Sequence, residues 1–265
     1  MIELSLVIST YNRADRMLVA LQSLVRQSAD ATGWECIVVD NNSTDDTRRV
    51  FDGFAACYPT LNLRMVTEPA QGLSYARNRG IAESTGAIVA IIDDDERVND
   101  RFVEAYVDFF ARHPETVAAG GRVVPEYPSG RPSWLSCYTE VPLANPTDLG
   151  DRERLFPRGR IPAGGNMAFR RDVLLRYGGF DTSLGRVGER LTGGEESDLF
   201  ERMAADGVRF HYVPDAVIWH IIGAEKLTDD YFARLSFNTG VSQRRRAELH
   251  GRVAALYIGE AVKWC

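Results

Sequence analysis

A chain of 265 residues, 45% hydrophobic and 26% charged, is long and apolar enough to bury a large core as one α/β unit or as two intimately joined halves. Its 37 acidic and 31 basic residues leave a net charge of −6, which argues against a nucleic-acid-binding surface as its main business. Four cysteines without a CxxC spacing, no apolar run near the roughly twenty residues of a spanning helix, and a Met1 that leads directly into a strand predict a reduced, cytoplasmic chain.

Leu4 to Ser9 reads as a first buried strand, and Thr10-Tyr11-Asn12 follows as a polar loop. Met17, Leu18, Leu21, Leu24 and Val25 recur at helical spacing, so an amphipathic helix follows Arg13. Cys36 to Val39 is a second strand running into Asp40-Asn41-Asn42-Ser43. Ser43 with Asp46 three residues on has the form of a capping box, and Val50, Phe51 and Phe54 give the next helix its inner face. Leu61 to Val66 alternates as a strand, and helix signals resume at Leu73, Ala76, Gly80 and Ile81. Strand and helix in alternation imply right-handed crossovers and a mostly parallel central sheet flanked by helices, with the polar loops on one edge. Neither Gly-x-Gly-x-x-Gly nor Gly-x-x-x-x-Gly-Lys follows the first strand, which weakens a dinucleotide oxidoreductase or a phosphate-loop ATPase.

The next strand, within Gly86 to Asp95, is uncharged and rich in Ile and Val until it ends in Asp93, Asp94 and Asp95. In open parallel sheets that end is where ligands bind. Alternation along an extended chain points Asp93 and Asp95 one way and Asp94 the other. Two carboxylates close together repel unless a cation lies between them. Oxygen ligands suit Mg²⁺ or Mn²⁺, whose coordination substrate phosphates complete. A solvated acidic turn capping the next helix is the other reading.

Phe102, Val103, Tyr106, Phe109 and Phe110 then mark a helix and Val117 to Val124 a strand. From Pro125 to Pro162 periodicity disappears, and this stretch reads either as a substrate-side loop or lid, or as a disordered insertion. Regular structure returns at Gly164-Gly165-Asn166, and Gly178-Gly179-Phe180-Asp181 marks a tight turn. After Gly193-Gly194, Glu195, Glu196 and Asp198 crowd a helix start. Phe210 to Val213 and Ala216 to Trp219 look like two short strands ending at His220. The tail from Thr228 is helical, with Arg244 to Arg246 on a polar face and Val253, Leu256, Tyr257 and Ala261 on an apolar one.

Taken together, Val7-Ile8-Ser9-Thr10-Tyr11-Asn12-Arg13, Val38 to Asp45, Ala76-Arg77-Asn78, the Asp93 to Asp95 triplet, Gly179-Phe180-Asp181 and Gly194 to Leu199 resemble the family 2 glycosyltransferases of the GT-A fold. These are inverting enzymes that transfer sugars from nucleotide diphosphates. The resemblance spans residues 4 to about 220. It divides the chain into a glycosyltransferase unit, 1–225, and a helical extension, 226–265. Within the unit, 1–98 would be a nucleotide-binding half and 99–225 an acceptor and catalytic half carrying the irregular loop 125–162.

Carried over by position, the resemblance implies that Thr10, Tyr11, Asn12 and Arg13 line the nucleotide pocket and that Asp40 accepts a hydrogen bond from the base, usually uracil. Arg77 would approach the nucleotide or its phosphates. Asp93 and Asp94 would lie on the nucleotide side, and Asp93 would serve the ribose or the metal. Asp95 would bind the divalent metal, Mn²⁺ or Mg²⁺, that bridges the diphosphate, and His220 would reach the metal or the diphosphate. Gly165, Asn166 and Asp181, with Trp134 from the loop, would shape the sugar and acceptor pocket. Inversion needs a general base, and Glu196 is the candidate. Asp is commoner in the family at that position, which leaves Glu195 and Asp198 as alternatives.

The expected partners are a nucleotide-sugar donor, first of all a UDP-sugar, and a glycan or lipid-linked acceptor, with no nucleic acid. A catalytically silent module of the same fold and a nucleotidyltransferase are the rival functions. The tail reads either as a helix packed on the catalytic unit or as a peripheral contact with the inner face of a membrane through the segment Val253 to Trp264.

Overall fold

The computed structural model describes residues 2–188 and 190–263. The chain begins as its hydrophobic spacing predicts, with β1 (Leu4–Thr10), α1 (Ala14–Leu24), β2 (Trp34–Asp40), α2 (Thr47–Cys57), β3 (Leu63–Thr67), α3 (Leu73–Glu83) and β4 (Ile88–Asp93). β1 is buried along its whole length because it pairs in parallel with both β2 and β4, and β2 in turn pairs in parallel with β3. Strands covered on both faces need no polar alternation, which is why β1, β2 and β4 read as continuous apolar runs.

The second half adds β5 (Glu96–Val98), α4 (Phe102–Arg112), β6 (Ala118–Glu126), α5 (Cys137–Ala144), β7 (Arg154–Leu155), β8 (Met167–Arg170), α6 (Arg171–Arg176), α7 (Glu195–Ala205) and β9 (His211–Ile221). α8 (Asp229–Leu249) and α9 (Val253–Lys263) follow. Among the described residues the strands form one sheet in the order β3-β2-β1-β4-β8-β6-β9-β5, with β7 paired to β9. β8 runs antiparallel between β4 and β6, while β6 and β9 are parallel. The sheet is therefore parallel through its first half and mixed beyond it.

Two apolar clusters cover its two faces. Met17, Leu21, Phe51, Phe54, Phe102 and Phe109 pack with Leu6, Ile8 and Val38 on one side. Ala76, Ile81, Leu174, Leu199, Phe200 and Met203 pack with Val7, Ile37 and Val39 on the other. A third, smaller cluster joins Leu143 and Ala144 of α5 to Leu235 of α8.

Four expectations need correction. The stretch from Pro125 to Pro162 is not wholly irregular, since it holds α5, started by a capping box of Ser136 and Thr139, and the short β7. The two short strands before His220 are one strand. Its ladder with β6 skips from Val213 to Val217, across Pro214, which has no N–H to donate. Ser43 does not cap α2. Asp45 accepts the Thr47 N–H there at 3.1 Å, while Ser43 Oγ accepts the Asn12 N–H at 2.9 Å and knits the loops after β1 and β2. Finally, strand alternation ends at Asp93: Asp94 and Asp95 form a turn, so all three carboxylates face one cavity.

Candidate active site

A cavity of about 440 Å³ opens at the carboxyl ends of β1 and β4. Such a volume is within the range of small-ligand sites. Thr10, Tyr11 and Arg13 line it after β1, Asp93 to Asp95 after β4, and Glu195 and Glu196 from the first turn of α7. His220, Lys226 and the face of α8 bearing Tyr231, Leu235, Ser242 and Arg246 complete the wall. Asp95 and Glu196, 101 positions apart by their numbers, thus border the same space.

Arg77 of α3 ties these walls together. One of its terminal nitrogens donates to Glu195 at 3.0 Å and Glu196 at 2.8 Å, and the other donates to Asp93 at 2.9 Å. Burial disfavours the charged guanidinium, but Asp93, Glu196 and Glu195 outweigh it and raise its pKa, so it stays a cation. The Phe180 ring lies 5.4 Å from the guanidinium. Phe180 is itself clasped by Asn78, whose side-chain amide donates to the Phe180 carbonyl at 2.8 Å and accepts the Phe180 N–H at 2.9 Å. The Arg77-Asn78 pair and the Gly179-Phe180 turn, distant in sequence, are two halves of one support.

The other acids meet different cations. Arg13 donates to Asp94 at 3.0 Å and to Asp95 at 3.3 Å, and Lys226 Nζ donates to Asp95 Oδ2 at 2.6 Å. Burial would raise Asp95, yet Lys226, with Arg13 beside it, prevails and holds its carboxyl well below the usual range. Burial pushes Asp94 up to about 6 against the pull of Arg13, with Asp95 adding to the rise.

His220 Nδ1 lies 3.2 Å from the Ala144 carbonyl, which only accepts, so the proton is on Nδ1. Burial lowers the ring's pKa, leaving it neutral with a bare lone pair on Nε2. That nitrogen faces Asp95 Oδ1 at 3.8 Å. Two lone-pair donors set face to face, one oriented by a backbone carbonyl, fit a divalent ion. Among the described residues no three carboxylate, histidine or cysteine side chains are arranged to hold a metal ion, so the pair would leave further coordination positions to a substrate.

Glu196 occupies a place that only glycine permits opposite it. A Cβ added at Gly164 would lie 2.1 Å from Glu196 Oε1, and one added at Gly165 would lie 1.8 Å from Oε1 of the buried Glu96. Glu96 in turn accepts the Asp93 N–H at 2.9 Å. Burial and the neighbouring Glu196 push Glu195 up to about 8, with Arg77 opposing. Arg77 and the first-turn N–H groups outweigh burial at Glu196 and lower its pKa, so Glu196 is the ionised member of the pair.

Several residues singled out by sequence stand off the cavity wall. Asp40 accepts the Ser43 N–H and Asn12 the Thr44 N–H, both within the loop network. Asn166 is fully buried, bonding the Arg122 and Ala216 carbonyls and the Tyr106 hydroxyl. Asp181 caps its own turn through Ser183 N–H. Trp134 packs on Phe232 at 5.8 Å, away from the acids. Asp198 is engaged by Arg202 at 2.9 Å and His250 at 2.8 Å. The residues sequence reasoning missed lie mainly beyond 225. Lys226 offered one faint signal, as one of only two lysines in an arginine-rich chain.

The tail divides its arginines. Arg246 turns toward the cavity and pairs with Glu201, and Arg244 pairs with Glu248. No helix among the described residues is long and apolar enough to cross a membrane. The cysteines within the described residues are free, and Trp264 and Cys265 lie outside those residues.

Comparison with known proteins bears on this geometry. A family model described as glycosyl transferase family 2 matches residues 5–178, well over half of the chain. The glucosyl-dolichyl phosphate glucuronosyltransferase of Haloferax volcanii is 28% identical over 249 residues, covering 91% of this chain and 76% of its own. The succinoglycan biosynthesis protein ExoM of Rhizobium meliloti is 26% identical, with 94% and 74% covered. Among solved structures, a mannosyltransferase from Pyrobaculum calidifontis in complex with GDP-Man and Mn²⁺ superposes with a TM-score of 0.60 at 25% identity. That match covers 82% of this chain, which spans just over half of that protein, 56%.

Proposed function

Since the chain belongs to glycosyl transferase family 2 and has the GT-A fold, we propose that it transfers a sugar, with inversion, from a nucleotide-diphosphate sugar to a hydroxyl of a glycan or lipid-linked acceptor. The observation that carries this reading is that Asp95 and Glu196 border one cavity, in which Arg77 joins Glu196 to Asp93 at the end of β4. Glu196, ionised and held by Arg77, takes the proton from the acceptor hydroxyl. Arg13 and Lys226 supply positive charge where the diphosphate departs, in a partly enclosed site where such charge acts strongly. Thr10 and Tyr11 border the nucleotide side.

Asp95 and His220 would hold the divalent ion, Mn²⁺ or Mg²⁺, and when bound it neutralises charge on the leaving group. The mannosyltransferase was solved in complex with GDP-Man and Mn²⁺, which supports a metal here. A UDP-sugar is the first donor to test, with GDP-mannose beside it. The names of the Haloferax and Rhizobium relatives favour, in turn, a lipid-linked acceptor and polysaccharide biosynthesis. Exposed Tyr257 and Ile258 on α9 favour a peripheral contact with the membrane that carries such an acceptor.

The test is nucleoside diphosphate release from a panel of UDP- and GDP-sugars with Mn²⁺ and mixed glycan acceptors. Release that Asp95→Asn and Glu196→Gln both abolish supports the assignment. Unimpaired turnover in both variants sinks it, and pyrophosphate release from a nucleoside triphosphate would mark nucleotidyl transfer instead.

A further inference from the structure

Glu196 lies between two cavities. Besides the one described above, a second, of about 420 Å³, lies under the segment from Asn145 to Pro162. Glu196 and Ser197 line both, and Gly164 lines the second. At Gly164 the partition is a bare backbone, since even a Cβ there would meet the Glu196 carboxylate at 2.1 Å. A group in the second cavity therefore reaches the same carboxylate that borders the first.

The lining of the second cavity suits a polyhydroxylated ring. Asn145, Thr147, Asp148 and Arg160 offer donors and acceptors, and Pro146 and Ile161 offer apolar faces. Asp148 accepts the Gly150 N–H at 2.8 Å on Oδ1, the oxygen that also faces the Tyr212 hydroxyl at 3.4 Å and Arg122 at 3.5 Å, and its side chain remains 63% exposed. A carboxylate and a guanidinium at one small site match adjacent sugar hydroxyls, which both donate and accept. A lipid tail would strip water from these polar groups and offer nothing in its place.

We infer that this second cavity is the acceptor site, and that its ligand is the terminal sugar ring of a saccharide. The inference rests on the glycosyl-transfer reading above. Inverting displacement needs nucleophile and leaving group on opposite faces of the anomeric carbon. The diphosphate departs toward Arg13 and Lys226 in the first cavity, and the acceptor oxygen enters from the second. As the new carbon–oxygen bond forms, the bond to the diphosphate breaks and its electron pair leaves with the nucleotide. The hydroxyl proton goes to Glu196. The segment 145–162 then selects the acceptor, and α8 closes the donor side.

Saturation-transfer NMR tests this on the full chain with UDP, diamagnetic Mg²⁺ and a panel of methyl glycosides: glucoside, galactoside, mannoside, N-acetylglucosaminide and glucuronide. At least one glycoside should take up saturation in the wild type. Asp148→Trp, which fills the cavity from an exposed position, should cut that signal at least fivefold, and Arg160→Ala should weaken it, while the UDP signals persist in both. A glycoside signal equal in all three proteins, or absent from the wild type while UDP is saturated, overturns the inference alone. Loss of UDP saturation in the wild type would overturn the functional reading beneath it.

Discussion

The Lys226 ammonium lies 2.6 Å from Asp95 Oδ2, both side chains are nearly fully buried, and the contact ties the turn before α8 to the end of β4. Removing one member of a buried ion pair typically costs about 3–5 kcal/mol, because the other is left uncompensated. Arg13 also faces Asp95, so Lys226→Met is expected to cost about 2–3 kcal/mol in urea unfolding at pH 7. The sign with pH follows from the depressed Asp95. Its ionisation stabilises the fold above the ordinary carboxyl range, and that contribution is lost as pH falls through the folded value. Lys226→Met should therefore move the acid-unfolding midpoint to higher pH, with Lys226→Arg recovering part of the shift.

Glu196 and Gly164 make a second prediction. Glu196→Gln keeps the shape and removes the base, so transfer should fall about 10²–10⁴-fold with nucleotide affinity little changed. Gly164→Ala keeps the base but places a Cβ where Oε1 now lies. A displacement near 1 Å is enough to cost about 10²-fold, so kcat should drop by that order while the nucleotide Kd stays within about twofold. Equal activity in Gly164→Ala and wild type would contradict the positioning argument.

The first half of the fold was legible because β1, β2 and β4 are covered on both faces and their neighbouring helices carry regular apolar stripes. The triplet at the end of β4 and the acids opening α7 announced themselves by composition. What joins them did not, since Arg77 reaches Glu195 and Glu196 across 118 and 119 positions, a pairing no local pattern encodes. Lys226 was hidden for the same reason, and the cavity-facing side of α8 reads as an ordinary polar stripe. α5 escaped notice because Pro142 breaks its pattern within eight residues. Asn166 and Trp134, expected at the sugar and acceptor pocket, here have partners within the fold: one bonds buried carbonyls and the other packs on a neighbouring ring.

Glu195 makes stability depend on pH in the opposite sense from Asp95. Its folded pKa, about 8, lies above the ordinary glutamate value of 4.5, so the folded state binds the extra proton between those values. Stability from this group is fully present below about pH 4.5 and is lost as pH rises through about 8, at up to about 1.4 kcal/mol per pH unit. Glu195→Gln holds the group neutral at every pH. Its Tm profile should be flatter than that of the wild type between pH 5 and 8, with the variant gaining relative stability toward pH 8. Parallel profiles would show that Glu195 titrates normally.

His220 and Asp95 provide a readout of metal that does not depend on turnover. With two protein ligands, Mn²⁺ alone should bind weakly, and Mn²⁺ with UDP should stabilise the fold by more than the sum of the two separate effects. Ligand at about 100 times its Kd adds about 2.7 kcal/mol, a shift readily seen in thermal unfolding. His220→Ala forfeits the bond to the Ala144 carbonyl, worth about 1 kcal/mol, and should keep the shift caused by UDP alone. The extra shift on adding Mn²⁺ should disappear in that variant. If it survives, the ion is held without His220, and the lone pair facing Asp95 has another purpose.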